Sequence, residues 1–249
     1  MKIFSLYLAS LFVLFNTTTA LANPVTFASN DKQVTLLELY TSEGCSSCPP
    51  ADRWMSQLKS KPGLWKQFVP VAFHVDYWNY LGWEDRFSKP AYSKRQRDYA
   101  TYGYTSTVYT PGFFQNGREW RSWFRTPQLG PADGVNSGPL RVTLDNGKLT
   151  AGFTPTKPVN AVLFLHITGL GFDIKTEVQG GENRGKILRH DFVVLSLNAY
   201  KEQLGQQTHH WTIDYPVKML QQKNLKALAF WVTGEKDPTP LQATGGWIE

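Results

Sequence analysis

Residues 34–40, VTLLELY, are apolar at every position except Thr35 and Glu38. A strand with one wet face alternates, so a run without alternation predicts a strand covered on both faces, with layers above and below it. The chain must therefore fold around this segment. It is followed at once by the only two cysteines, in TSEGCSSCPP at 41–50. Next comes ADRWMSQL, with Trp54, Met55 and Leu58 at helical spacing and Pro49-Pro50 in the first turn, where missing N–H groups cost least. Residues 68–75, FVPVAFHV, predict a second strand, and 91–100, AYSKRQRDYA, a polar-faced helix. In that helix Lys94, Arg95 and Arg97 read as one solvated face. A third strand over 109–114 turns at Asn116-Gly117, a pair tolerant of positive φ, into a fourth over 118–123. Strand, helix, strand, helix and hairpin is the order of an α/β layer.

The texture changes over residues 126–137, TPQLGPADGVNS, which predict a linker. Beyond it strand signals succeed one another: LRVTL, KLTAGF, AVLFLHIT, FDIKTEV, KILRHDFVVLSL, HHWTIDY and ALAFWVT, with one short helical stretch over 217–223. The expected fold class is thus α/β over 34–125, with an insert around 76–100, followed by a β-rich domain over 138–249, an antiparallel sheet or sandwich.

Residues 1–22 combine Lys2, an apolar run over 3–15 and the small-x-small Ala20-Leu21-Ala22, the pattern of a signal peptide cut after Ala22. The run is shorter than the roughly 20 apolar residues of a membrane span. The expectation is a periplasmic or secreted protein without stable membrane insertion after cleavage. A formal net charge of +6, spread along the chain, does not predict a nucleic-acid partner.

In an exported chain Cys45 and Cys48 admit three readings. As a staple they close a loop worth roughly 2 kcal/mol, against nearly 5 for a hundred-residue loop. As a metal site they lack the second pair that structural zinc needs, although copper(I) could be held by Cys45, Cys48 and His74. His209 and His210 fall on opposite faces of a strand and make a poor chelating pair. As a redox pair they have a suitable setting, because a thiol beside a helix N-terminus is favoured as thiolate. Glu43 opposes that effect. Glu38, inside an apolar strand, needs a partner or a proton, and is a further candidate proton relay should a bulge turn it toward the cysteines. His74 and Asp76 share one side of their strand and could relay protons. Tyr77, Trp78, Tyr80 and Trp83 could line a substrate groove. GGENRG at 180–185 reads as a glycine-rich hairpin loop.

Strand, CxxC, helix, strand, helix, Thr110-Pro111, strand, Asn-Gly turn and strand is similar to the thioredoxin fold. That resemblance implies a cis Pro111 facing the cysteines and a Thr110 backbone that pairs with an extended substrate. It would place the buried acid at Leu39, one position from Glu38. More closely, LLELYTSEGCSSCPPAD, AFHVDYWNYLGWEDRFSKPAYSKRQRDYA, VYTPGFFQNGREW and GGENRGKILRHDFVV resemble an exported bacterial family catalogued as domain of unknown function 1223. The resemblance implies a thioredoxin-like domain with a β-rich addition. The functional expectation is a thiol–disulfide oxidoreductase in which Cys45 attacks and Cys48 resolves. It needs no cofactor, acts on protein or peptide thiols and disulfides, and is reset by an external redox partner. The alternative is a copper(I)-binding or redox-inert binding module.

Overall fold

The computed structural model describes residues 23–125, 129, 134–202 and 208–248. The expected signal peptide and most of the expected linker lie outside the described residues. In chain order the elements begin with β1 (Val25–Ala28), β2 (Thr35–Thr41), α1 (Pro49–Gln57), β3 (Phe68–His74) and α2 (Pro90–Thr101). There follow β4 (Gly112–Gln115), β5 (Arg118–Glu119), β6 (Leu140–Asp145), β7 (Lys148–Phe153) and β8 (Leu163–Gly171). The last six are β9 (Ile174–Glu177), β10 (Ile187–His190), β11 (Val193–Lys201), β12 (His209–Asp214), β13 (Leu225–Gly234) and β14 (Asp237–Trp247).

β2 is buried at all seven positions, and so is β3. The two pair in parallel from Thr35 opposite Phe68 to Thr41 opposite His74, with α1 in the crossover that parallel strands require. β4 lies antiparallel on the other side of β2, Gly112 facing Tyr40, and turns into β5 at Asn116-Gly117, both at positive φ. On the far side of β3 the sheet continues with strands from the second half of the chain. β11 joins β3 in parallel at Val193 opposite Ala72, and β8, β13 and β14 extend it, giving the order β14-β13-β8-β11-β3-β2-β4-β5.

This sheet corrects the expected fold class. The chain does not form an α/β thioredoxin-like domain followed by a β-rich domain; it is β-rich throughout, with fourteen strands and two α-helices among the described residues. Local pattern could mark where strands lie, but the pairing of β11 with β3, residues more than a hundred positions apart, is tertiary.

A second sheet, β1-β6-β7-β12, alternates buried and exposed along β6, β7 and β12, as a strand with one wet face does. Its inner face packs Phe27, Val142, Leu149, Phe153 and Trp211 against Leu165, Ile167 and Phe230 of the large sheet. The rest of the core lies around β2 and β3 under the helices. A third sheet is the isolated hairpin of β9 and β10. The segment KILRHDFVVLSL is not one strand but two. It breaks at Phe192, which takes a left-handed φ of 58°, and its halves enter different sheets. β14 was not foreseen, because Pro238 and Pro240 argue against a strand; it stands at a sheet edge, where proline is tolerated. The helical stretch near 217–223 is a 3-10 turn over Val217–Gln221. No helix is long and apolar enough to cross a membrane among the described residues.

Candidate functional site

The end of β2 delivers the chain into a tight loop over residues 42–48. Cys45 N–H donates to Ser42 O, and Cys48 N–H to Cys45 O, each at 3.2 Å. Cys45 and Cys48 form a disulfide with 5.5 Å between their Cα atoms. Cys48 is the N-cap residue of α1, its carbonyl accepting from Ala51 and Asp52, and Pro49-Pro50 occupies the first turn as expected. Neither cysteine is exposed (0%), whereas Ser46 and Ser47 between them face solvent.

Two segments cover the loop. Trp78 packs so closely that a Cβ on Gly44 would lie 3.0 Å from its own Cβ. Its indole N–H donates to Thr110 Oγ1 at 2.7 Å, linking the cysteine loop to the Thr110–Pro111 peptide, which is cis. The other cover comes from the hairpin of β9 and β10. Its 3-10 turn, Gly181–Asn183, places the fully buried Asn183 amide against the backbone, donating to Glu43 O and Cys45 O at 2.9 Å each. Glu182 Oε2 accepts from Ser46 N–H at 2.9 Å.

Five buried titratable groups gather at the cysteine loop, Glu43 of the loop itself among them. His74 Nδ1 contacts Asp85 Oδ2 at 2.6 Å, and the same oxygen accepts from Glu43 N–H at 2.8 Å. Glu43 Oε2 accepts from the Trp83 indole at 2.8 Å, while Glu43 Oε1 lies 3.4 Å from His190 Nε2. His190 Nδ1 is 3.8 Å from Asp52 Oδ2, and Asp52 Oδ1 accepts from Thr41 Oγ1 at 2.9 Å. The His74 and His190 rings meet edge to face with centroids 5.0 Å apart. Glu43 Oε1 and His190 Nε2 face each other as an ion pair, while His74 Nε2 and His190 Nδ1 have no hydrogen-bond partner among the described residues. The cluster is held together by pairs of its own charged groups, His74 with Asp85 and His190 with Glu43 and Asp52.

The charges act on one another. Burial opposes protonation of His74, but Asp85, with Asp52 and Glu43, raises its pKa to about 9. Burial pushes Asp85 upward, and the His74 contact holds it below the ordinary carboxylate value instead. Burial likewise works against the Glu43 carboxylate, yet His190 keeps Glu43 low. Asp52 goes the other way: burial raises it more than the histidines lower it.

His74 is therefore in the site, but its acid is Asp85, not Asp76. Asp76 is engaged with the Ser93 hydroxyl and with its own backbone contact to Ser93. Glu38 is not in the cluster. It is fully buried and takes two bonds from Arg95, at 2.7 and 3.0 Å, and one each from Tyr40 and Tyr99. Arg95 is accordingly buried (8%) rather than on a solvated face. Of the four aromatics, Tyr77 is anchored to Gln96, Trp78 and Trp83 make the contacts above, and Tyr80 is 79% exposed. His209 is buried against Glu202 and His210 faces out. Among the described residues no three His, Cys, Asp or Glu side chains are arranged to hold a metal ion; of the alternative copper ligands, the two sulfurs are joined to each other and His74 Nδ1 contacts Asp85, while His74 Nε2 has no partner among the described residues. Sequence reasoning missed Asp52, Asp85, Glu182, Asn183 and His190. The glycines of GGENRG were the available signal, since they permit the close approach that seats the turn.

No curated protein matches the chain. Among solved structures, an X-ray structure of a protein from Agrobacterium tumefaciens is 21% identical, covering 87% of this chain and 94% of that one, with a TM-score of 0.61. HBP35 of Porphyromonas gingivalis is 14% identical, covering 88% of this chain and 76% of its own, with a TM-score of 0.60. At these identities the likeness is one of fold. The model of a family described as a protein of unknown function, DUF1223, matches residues 36–233, and the chain belongs to that family.

Proposed function

We propose that the protein is a thiol–disulfide oxidoreductase acting through Cys45 and Cys48. The observation that supports this best is the surroundings of the pair. A four-residue disulfide loop adds little chain-entropy stabilisation, yet this one sits on a buried cluster of three carboxylates and two histidines. A staple gains nothing from buried titratable groups that shift one another's protonation; a pair whose thiols gain and lose protons does. In the reduced state the Cys45 thiolate attacks a substrate disulfide, forming a mixed disulfide and releasing one substrate thiolate, which takes a proton. The Cys48 thiolate then displaces the second substrate sulfur and closes the Cys45–Cys48 bond. Two electrons pass to the substrate, and an external partner resets the pair. Thr110 and Pro111 border the cysteines through Trp78 and would guide the substrate. The signal-like leader of residues 1–22 supports export to the periplasm or beyond.

The test is a redox titration in glutathione buffers, with thiols trapped by alkylation and counted by mass. A midpoint between roughly −120 and −270 mV is expected; one well below about −300 mV would identify a structural clasp. Cys45→Ser should abolish exchange, and Cys48→Ser should accumulate mixed disulfides. A second reading, a binding module with an inert disulfide, is favoured by the complete enclosure of both cysteines.

A further inference from the structure

We infer that the turn at residues 180–185 is a gate for the cysteine pair, with Asn183 as the positioning residue that holds it shut. The inference rests on the exchange reading above and states what regulates that site. Cys45 and Cys48 are fully enclosed, so an exchange partner reaches a sulfur only after something moves. The turn is built to move as a unit. Its strands form a two-stranded sheet of their own, without ladder bonds to either large sheet, and they are anchored by side chains, His190 beside Glu43 and Asp52 and Arg86 on Lys175 O and Thr176, so the part that lifts is the turn between them.

The turn satisfies its own backbone. Gly185 N–H donates to Val178 O at 2.8 Å, Val178 N–H to Lys186 O at 3.0 Å, and Lys186 N–H to Asn183 O at 3.0 Å. Lys186 Nζ holds Asn183 Oδ1 at 2.9 Å. Lifting the turn breaks none of these. What it breaks is the tie to the cysteine loop: the two bonds from the Asn183 amide and the one accepted by Glu182. A few bonds of modest net worth make a reversible latch rather than a weld.

The seat is also steric. A Cβ on Gly180 would lie 2.2 Å from Gly82 O, and one on Gly181 would lie 3.3 Å from Trp83 Cβ. Gly180 has φ −149°, which any residue adopts, so alanine there is a wedge that leaves the local backbone unstrained. Asn183 and Gly180 thus offer two independent ways to lift the same turn. One removes the latch; the other blocks the seat.

The experiment follows the reduction of the folded protein by excess dithiothreitol at several sub-denaturing urea concentrations. The reagent's two thiols become a cyclic disulfide, and Cys45–Cys48 gains two electrons and two protons. The new thiols are trapped with a maleimide and counted by mass. In the wild-type protein the rate should rise with urea much less steeply than global unfolding does, since a local opening exposes little surface. Asn183→Ala and Gly180→Ala should each be reduced at least roughly tenfold faster with the same shallow slope. A smaller acceleration in both would overturn the gate, and so would a wild-type slope equal to that of global unfolding. The wild-type slope decides even if a variant does not fold. The glutathione midpoint reports the exchange reading separately, because it does not depend on how fast the pair is reached.

Discussion

His74 is held protonated by its surroundings, and that has a measurable consequence. Its folded pKa of about 9 lies above the ordinary histidine value. The stabilisation it provides is therefore complete below about pH 6.5 and lost as pH rises through about 9, a change on the order of 3 kcal/mol. Urea midpoints at pH 6 and pH 9.5 should differ accordingly, and His74→Asn should flatten the difference. A second residue-scale prediction concerns the Glu38–Arg95 pair. Arg95→Met leaves a buried carboxylate without its cation and should cost about 3–5 kcal/mol in equilibrium unfolding, much of it recovered in the Glu38→Gln/Arg95→Met double variant. The need of Glu38 for a partner was legible in its apolar strand. The partner was not: Arg95 stands three residues after Tyr92 and four before Tyr99, and it is their enclosure in the fold that puts it on the inner face of α2. Charge alone misplaced it. Asp85 and His190 could not be read at all, because neither lies at a fixed spacing from His74 on a common element.

Among the elements, those with a strong local signal formed where expected: the uninterrupted apolar β2, α1 behind its prolines, the Asn116-Gly117 hairpin, and the one-faced strands β6, β7 and β12. Elements defined by context did not. The apolar segment over 186–197 carries no glycine or proline to announce the break at Phe192, and β14 carries prolines that a central strand would refuse. A stringent site lies just before β6. Gly138 has φ +94°, and a Cβ there would come within 1.9 Å of Thr154 O. Gly138→Ala should therefore destabilise by more than about 2 kcal/mol, read as a lowered urea midpoint at unchanged slope. A near-neutral result would mean that the backbone here yields more readily than these contacts allow.

For the whole molecule, the large sheet is the decisive feature. β3 has β2 on one side and β11 on the other, so each half of the chain supplies ladder partners to the other. Unfolding should be a single cooperative transition, with tryptophan fluorescence and far-ultraviolet dichroism coincident. A fragment ending near residue 125 would leave the open edge of β3 unpaired and should not fold by itself. Two separable transitions, or a well-folded fragment, would contradict this. The sequence texture around 126–137 marks a change in loop chemistry; it carries no information about which strands later lie side by side.

The turn that ties down the cysteine loop follows the two cysteines by more than 130 residues. A chain made from its N-terminus exposes Cys45 and Cys48 long before Asn183 exists. Until then the turn cannot close over the pair. On the proposed exchange and gate, the same two sulfurs would be met under different rules: free entry while the chain is being made, and entry through a latch once it is finished.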